Sequence, residues 1–449
     1  MTANAKADSK DLFQYLALYD INSEDHENFV NFSNGAPGAE SLAGINQLLD
    51  KATRILLADD AEERFTFQYG PCKGDPVFCR EMAKFLSSEY GHNVSREDIM
   101  VTAGATQGLH LVATVMFNKD TPVFMEDPTY FLAVNIIRED FGMNIKPGIR
   151  LFGDHFGRNE LCIIVPTDSE GIDTEKLELM LVQHKPASMA GQKTPFWSMV
   201  YTIPTFNNPK GYCMSPERFK TLIRLARKHD VLLFTEDIYN ILHYDNSPVC
   251  PPRLMLYDDR TDEDFQGHVL SNCSFSKILA PGLRLGWIEA SPRIMKYLEK
   301  SATAWSGGAF NHYTSKVIAS ALKEGLIAEH MIKLRKEYGE RMDIACSSLR
   351  KYLPQDVKVD YPRGVFFIWL ELPPSVDTIL LLKLAAEKYK TNFIFGARGR
   401  RGRWRARPYG RRTYGSSRQA EVTDYAQFGH KHEFKSQKKS STTAPQAPN

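Results

Sequence analysis

Between about residues 95 and 290 the chain alternates short apolar runs with amphipathic helical patterns, and this alternation restricts its fold more than any other feature. The runs DIMVTAG, TPVFMED, WSMVYTIP, VLLFTED and HVLSNCSFS are rich in Val, Ile, Phe and Thr and end in small or polar residues. Nearly continuous hydrophobicity is expected of parallel strands covered on both faces. Between two of them, SPERFKTLIRLARKHD spaces Phe219, Leu222, Ile223 and Ala226 on one helical face, with Ser215 placed to cap the helix and Pro216 to open it. Such repetition means an α/β sheet, whose ligands bind beyond the carboxyl ends of the strands. After residue 290 the pattern is mostly helical to about Leu353. VFFIWLELP (365–373) then reads as a strand, SVDTILLLKLAAEKY as a helix and TNFIF as another strand. The expected fold is α/β, a large domain with a mostly parallel sheet between helices plus a smaller α+β domain.

Composition narrows the class. No apolar run in the 449 residues approaches the length of a membrane-spanning helix. The start, MTANAKADSKDLFQYL, lacks the apolar segment of a secretory signal and carries Asp8 and Asp11, which also disfavours a transit peptide. Seven scattered cysteines without a CxxC argue against a disulfide framework or a metal site, and a cytoplasmic setting is expected. The net charge of +2 hides an asymmetry: from Arg398 onward nine Arg and four Lys face three acids, so the tail carries +10 and the body −8. The tail has neither helical nor strand periodicity, and its composition predicts disorder. Its arginines, interleaved with Trp404 and Tyr409, suit RNA or an acidic surface. An aberrant end, from splicing or a shifted reading frame, explains the abrupt change of pattern better.

The chemistry-bearing residues cluster at the strand ends. Ser274-Phe275-Ser276-Lys277 follows a predicted strand and leads into Pro281-Gly282-Leu283-Arg284-Leu285-Gly286. A lysine beside an apolar strand end loses its proton more easily and becomes a nucleophile, and the serines and arginine supply donors for a phosphate. VTAGATQG (101–108) joins a strand to a helix beginning near Ala105, where small residues let backbone N–H groups approach an anion. Asp237 and Tyr239 lie just past a buried strand, where an acid is costly unless it is paired or caps a helix. Taken singly, each has an ordinary structural reading: a surface lysine, a common turn, a core tyrosine at Tyr130.

Taken in order, over roughly residues 31–396, these motifs resemble the class I/II aminotransferases, fold-type-I enzymes that use pyridoxal 5′-phosphate (PLP). The match runs through Asn34-Gly35-Ala36-Pro37, Gln68-Tyr69-Gly70-Pro71, the glycine turn, Asp127-Pro128-Thr129-Tyr130, Asn207-Asn208-Pro209, Glu236-Asp237-Ile238-Tyr239 and SFSK…PGLRLG, to YPRGVFFIWLELP. The resemblance implies an arm (1–45) serving the small domain and the substrate side, a large PLP-binding domain (46–305) and a small domain (306–397). The basic tail (398–449) falls outside it. Lys277 would hold PLP covalently and shuttle a proton, and Asp237 would keep the pyridine nitrogen protonated. Asn208 and Tyr239 would contact the phenolic oxygen, and Tyr130 would stack on the ring. Ala105, Thr106, Gln107, Ser274, Ser276 and Arg284 would surround the phosphate, and Tyr69 would reach a neighbouring subunit's phosphate, implying a homodimer. Gly35 and Asn208 would line the substrate side.

Two departures stand out. Lys210 occupies a position where the family often has Thr. The family also continues into a strand bearing an arginine for the substrate carboxylate and then a closing helix, whereas this chain reads GRRGRWRARPYGRRTYG. Arg411 and Arg412 are nearest in spacing, in poor context. The implied reaction is transfer of an amino group from an L-amino acid to a 2-oxo acid. Lyase or synthase chemistry on the same scaffold stays open, as does a PLP-binding protein with impaired catalysis. A regulator with an N-terminal DNA-binding domain is disfavoured, since about 30 residues are too few for one.

Overall fold

In the computed structural model, residues 29–33, 35–59, 64–142, 162–244, 250–308, 310–364, 366–397 and 424–429 are described. Several helices start where side chains can satisfy the unpaired N–H groups of a first turn. Ser215 Oγ accepts from the Arg218 N–H at 3.3 Å and Pro216 opens the helix Pro216–His229, as its sequence predicts. Asp75 caps the helix Pro76–Tyr90 in the same way, and Asp377 caps Thr378–Tyr389.

Strand β1 is Val30–Asn31. The next eight strands are β2 (Ile99–Thr102), β3 (Val123–Asp127), β4 (Cys162–Asp168), β5 (Gly171–Ile172), β6 (Met199–Thr202), β7 (Leu232–Glu236), β8 (Val269–Ser274) and β9 (Gly286–Ala290). They form one sheet in the order β2-β9-β8-β7-β6-β3-β4-β5. Four neighbouring pairs, from β4 through β3, β6 and β7 to β8, are parallel. Strand β9, which the apolar runs did not single out, lies antiparallel between β8 and β2. Both faces of the sheet are covered, which explains the continuous runs. Leu233 and Val269 pack with the helices Thr174–His184 and Pro216–His229, while Phe234 and Leu270 join the cluster containing Ala105–Met116. Successive residues of a strand point to opposite faces, so each apolar run serves two cores.

The remaining strands are β10 (Lys358–Val359), β11 (Phe367–Leu372), β12 (Thr391–Asn392), β13 (Ile394–Ala397) and β14 (Asp424–Gly429). Four of them make an antiparallel sheet in the order β10-β11-β14-β13, packed on the end of the long helix Leu326–Tyr352. TNFIF, expected as one strand, is divided at Phe393. Its first part, β12, pairs in parallel with β1, and its second part, β13, pairs with β14. A second correction concerns the tail. Expected to lack regular structure from residue 398, it contributes β14, which fills the gap between β11 and β13 and pairs with Phe367–Leu372 along six residues. Arg411 and Arg412 lie outside the described residues.

Candidate active site

The carboxyl ends of β6, β7 and β8 bring the motif residues to one edge of the sheet. Phe275, fully buried, packs edge-on against Phe78 and Trp287 with centroids 6.2 and 5.1 Å away. That plug fixes the peptide carrying Ser276 and Lys277. The Lys277 amine donates to the Gly35 carbonyl at 2.5 Å and lies 5.8 Å from the centre of the Phe366 ring. Burial, with help from the positive charge of Arg284, pushes its pKa down to about 8. A substantial share of the amine is therefore neutral, and nucleophilic, near physiological pH. A Cβ on Gly35 would sit 2.2 Å from Phe367 Cζ, so a side chain there would have to displace that buried ring.

Asp237 is 2% exposed. Its Oδ2 accepts from Thr235 Oγ1 at 2.8 Å and from Ser271 Oγ, while Oδ1 has no hydrogen-bond partner among the described residues. Burial raises its pKa, opposed by the two hydroxyls and by Arg253. Arg253 is itself buried, held by Glu289 at 2.6 and 2.9 Å and seated over the Tyr90 ring at 4.0 Å. A buried carboxylate with one open oxygen is costly by itself and fits a cationic N–H from a bound group. Glu236 is its contrast: Asn272 donates to it at 3.1 Å, no cation among the described residues offsets its charge, and burial pushes its pKa up to about 8.

Tyr239 is buried against Phe366 and Phe367, and the Asn208 side chain hydrogen-bonds its hydroxyl. Burial raises its pKa, so the hydroxyl keeps its proton and can donate. Tyr130 immediately precedes the short helix Phe131–Asn135, half-buried against the cluster beneath β3. An anion cradle lies nearby. Gly104, at φ +84°, precedes the helix Ala105–Met116, and a Cβ on it would come within 3.1 Å of Arg284 Nη2. The guanidinium therefore stands at a helix N-terminus, where backbone N–H groups and the dipole favour an anion. Thr106 is exposed in the first turn. Ser274 Oγ donates to Ser276 Oγ at 2.9 Å and accepts the Ser276 N–H at 3.1 Å. Gln107 serves the turn instead, its Oε1 accepting the Ala103 N–H at 3.0 Å. Tyr69 stands apart, 80% exposed and beside Gly307. Lys210, the departure at the Asn-Pro turn, donates to Thr167 Oγ1 at 3.1 Å.

The sequence reading missed several residues here: Glu126, Glu236, Thr235, Ser271 and the Arg253–Glu289 pair. Acids ending apolar runs were the available signal, because a buried acid demands a partner.

A family model described as aminotransferase class I and II matches residues 27–140 and 164–400. The chain belongs to this family. It is 30% identical over 362 residues, 80% of its length and 77% of the relative's, to aromatic-amino-acid aminotransferase 1 of Thermococcus litoralis. It is 26% identical to a 2-aminoadipate transaminase of Thermus thermophilus, over 80% of this chain and 79% of that one. Among solved structures, a Pyrococcus horikoshii kynurenine aminotransferase in complex with PMP superposes with a TM-score of 0.70 at 26% identity, covering 96% of this chain and 90% of that one. The chain is thus a fold-type-I aminotransferase with PLP as its cofactor, and its site fits that group: a depressed lysine, a carboxylate with an open oxygen and an anion cradle stand at one sheet edge. The family match stops at residue 400, before the arginine-rich segment ends.

Proposed function

We propose that this aminotransferase takes its amino group from an L-amino acid with an aromatic or extended side chain and passes it to a 2-oxo acid. The observation that carries the site reading is that two neighbouring strands lead into an amine whose pKa is lowered by burial, Lys277, and a buried carboxylate with one open oxygen, Asp237. PLP, when bound, supplies the electron sink that weakens the bonds of the amino acid's α-carbon. Lys277 would hold the cofactor through its amine and, once free of it, would hold and return the proton of the substrate's α-carbon. Asp237 keeps the pyridine nitrogen protonated. Asn208 and Tyr239 donate to the phenolic oxygen, and Tyr130 covers the ring. Ala105, Thr106, Ser274, Ser276 and Arg284 bind the phosphate, with Gln107 holding the turn that presents it. Gly35 bounds the substrate side. The preference for aromatic or extended side chains is supported by the apolar wall of Phe366 and Tyr239 near Lys277, and by the substrates named for the relatives. A screen of amino donors against 2-oxoglutarate and pyruvate tests it, and turnover confined to small donors such as alanine contradicts it.

The same reading makes the chain a homodimer. Phe65, Phe67, Tyr69, Trp305 and Tyr313 are all exposed, and Phe67 stacks on Tyr313 at 5.5 Å, an aromatic surface suited to a second copy. A cytoplasmic setting accords with seven scattered cysteines that form no CxxC pair.

A second reading, cofactor binding with weak turnover, is favoured by β14. The strand lying between β11 and β13 reads DYAQFG and contains no arginine to receive a substrate carboxylate. Arg provides a planar fork that meets a carboxylate with two parallel hydrogen bonds, and its loss would impair positioning as well as affinity. Robust turnover that disappears in Arg411→Ala or Arg412→Ala would instead locate the clamp in the tail.

A further inference from the structure

Glu126, near the end of β3, is fully buried and has no part in the roles assigned above. Its two oxygens take four donors. Oε1 accepts from the Ile203 N–H at 2.7 Å and from Asn207 Nδ2 at 2.9 Å. Oε2 accepts from Thr202 Oγ1 at 2.8 Å and from the Tyr212 hydroxyl at 3.1 Å. All four donors belong to β6 or to the loop that follows it, and that loop carries Asn208. Asn207 closes the turn around its neighbour. Its N–H donates to the Tyr212 carbonyl at 2.9 Å, its carbonyl accepts the Gly211 N–H at 2.7 Å, and its Oδ1 accepts the Lys210 N–H at 3.1 Å.

A core filler at this position would need only volume, whereas four directional bonds to one carboxylate prescribe where the loop sits. We propose that Glu126 is a positioning residue for the aminotransferase reaction: through Asn207 it holds Asn208 against Tyr239, and so sets the hydrogen bonds given to the cofactor's phenolic oxygen. This rests on the reading of Asn208 and Tyr239 as the contacts to that oxygen. Burial pushes the Glu126 carboxyl up to about 7, while its donors and the charge of Lys210 pull it down. Tyr212, and Tyr201 on β6, are the other titratable groups facing it, and both stay protonated because burial raises them. Both partners of Oε2 are hydroxyls that can rotate to accept. A glutamine amide can therefore give its NH2 to them and keep its oxygen on Ile203 and Asn207.

The test records the visible absorbance of the bound cofactor against pH in PLP-loaded full-length protein. Asn208→Ala is expected to move the midpoint by about one pH unit, the worth of a hydrogen bond to a charged group. Glu126→Ala should move it in the same direction, Glu126→Gln should leave it near the wild-type value, and Glu126→Ala/Asn208→Ala should shift it no further than Asn208→Ala alone. Where Glu126→Ala fails to fold, Asn207→Ala cuts the same link and must give the same shift. An unchanged midpoint in Glu126→Ala or Asn207→Ala, beside a shifted one in Asn208→Ala, would make Glu126 a scaffold residue only and overturn the proposal. An unchanged midpoint in Asn208→Ala would overturn the site reading, and the proposal with it.

Discussion

The carboxyl edge of the large sheet and the β14 end of the small sheet are built differently. At the large-sheet edge each functional side chain is braced by buried neighbours: Lys277 by the Phe275 plug, Asp237 by Thr235 and Ser271, Asn208 by the loop around Asn207. At the small-sheet end a strand drawn from a basic, low-complexity stretch completes the ladder with backbone bonds, and its sequence offers no cation. Pairing needs only N–H and C=O groups in register, whereas a site needs particular side chains. A segment can therefore meet the demands of a sheet without meeting those of a reaction.

Removing charge at the braced edge should have the largest effect. Asp237→Asn keeps the hydroxyl contacts at Oδ2 and should leave the ligand-free protein as stable as before or more so, because a buried carboxylate with an open oxygen is gone. Turnover should fall roughly 10²–10⁴-fold, the equivalent of the roughly 3–5 kcal/mol lost when one partner of a buried charge pair is removed. Steady-state rates and thermal melting of the two proteins check both halves. Near-normal turnover would show that another group holds the cofactor nitrogen.

At the small-sheet end the effect should be on folding. Deleting residues 398–449 removes β14 and strips two neighbours of their ladder, a loss of several kcal/mol at about 1 kcal/mol per hydrogen bond. Deleting residues 430–449 alone should leave stability unchanged. Equal urea midpoints for the two truncations would mean that β14 contributes nothing to the small domain.

Much of the site was legible in the chain because its residues follow the apolar runs directly. Asp237 and Lys277 follow within three residues of strands that hydrophobicity alone marks out, and Ala105 begins a helix that small residues announce. The surroundings of Asp237, the four donors on Glu126 and the single donor to Glu236 are tertiary facts, created when segments 34 to 86 residues apart close on one another. TNFIF is divided because its halves pair with strands distant in sequence, β1 and β14. DYAQFG carries too short and mixed a pattern to be read as a strand within a basic tail.

A smaller effect should come from Glu236, the uncompensated acid beside Asp237. Its pKa is raised in the folded state, so its contribution to stability is fully present below the unfolded value near 4.5 and is lost as pH rises through about 8. Stability should therefore decline across that window by an amount on the order of a few kcal/mol. Glu236→Gln should flatten the decline, as measured by denaturant unfolding at successive pH values. An unchanged slope would mean that the carboxylate finds a partner when it ionises.

The smallest effect belongs to the exposed face. If Tyr69 reaches the phosphate of a second copy, Tyr69→Phe should weaken PLP retention by about tenfold, one charge-assisted hydrogen bond, without changing the dimer. Trp305→Glu should separate the subunits in sedimentation. A monomeric wild-type protein with full PLP occupancy would remove the shared-site reading.

The large-sheet site stands or falls on Lys277. Borohydride reduction of the PLP-loaded protein, followed by digestion and mass spectrometry, should place the phosphopyridoxyl group on Lys277, and Lys277→Ala should abolish both the label and the visible absorbance. Label on a different lysine, or undiminished absorbance in Lys277→Ala, would contradict the account.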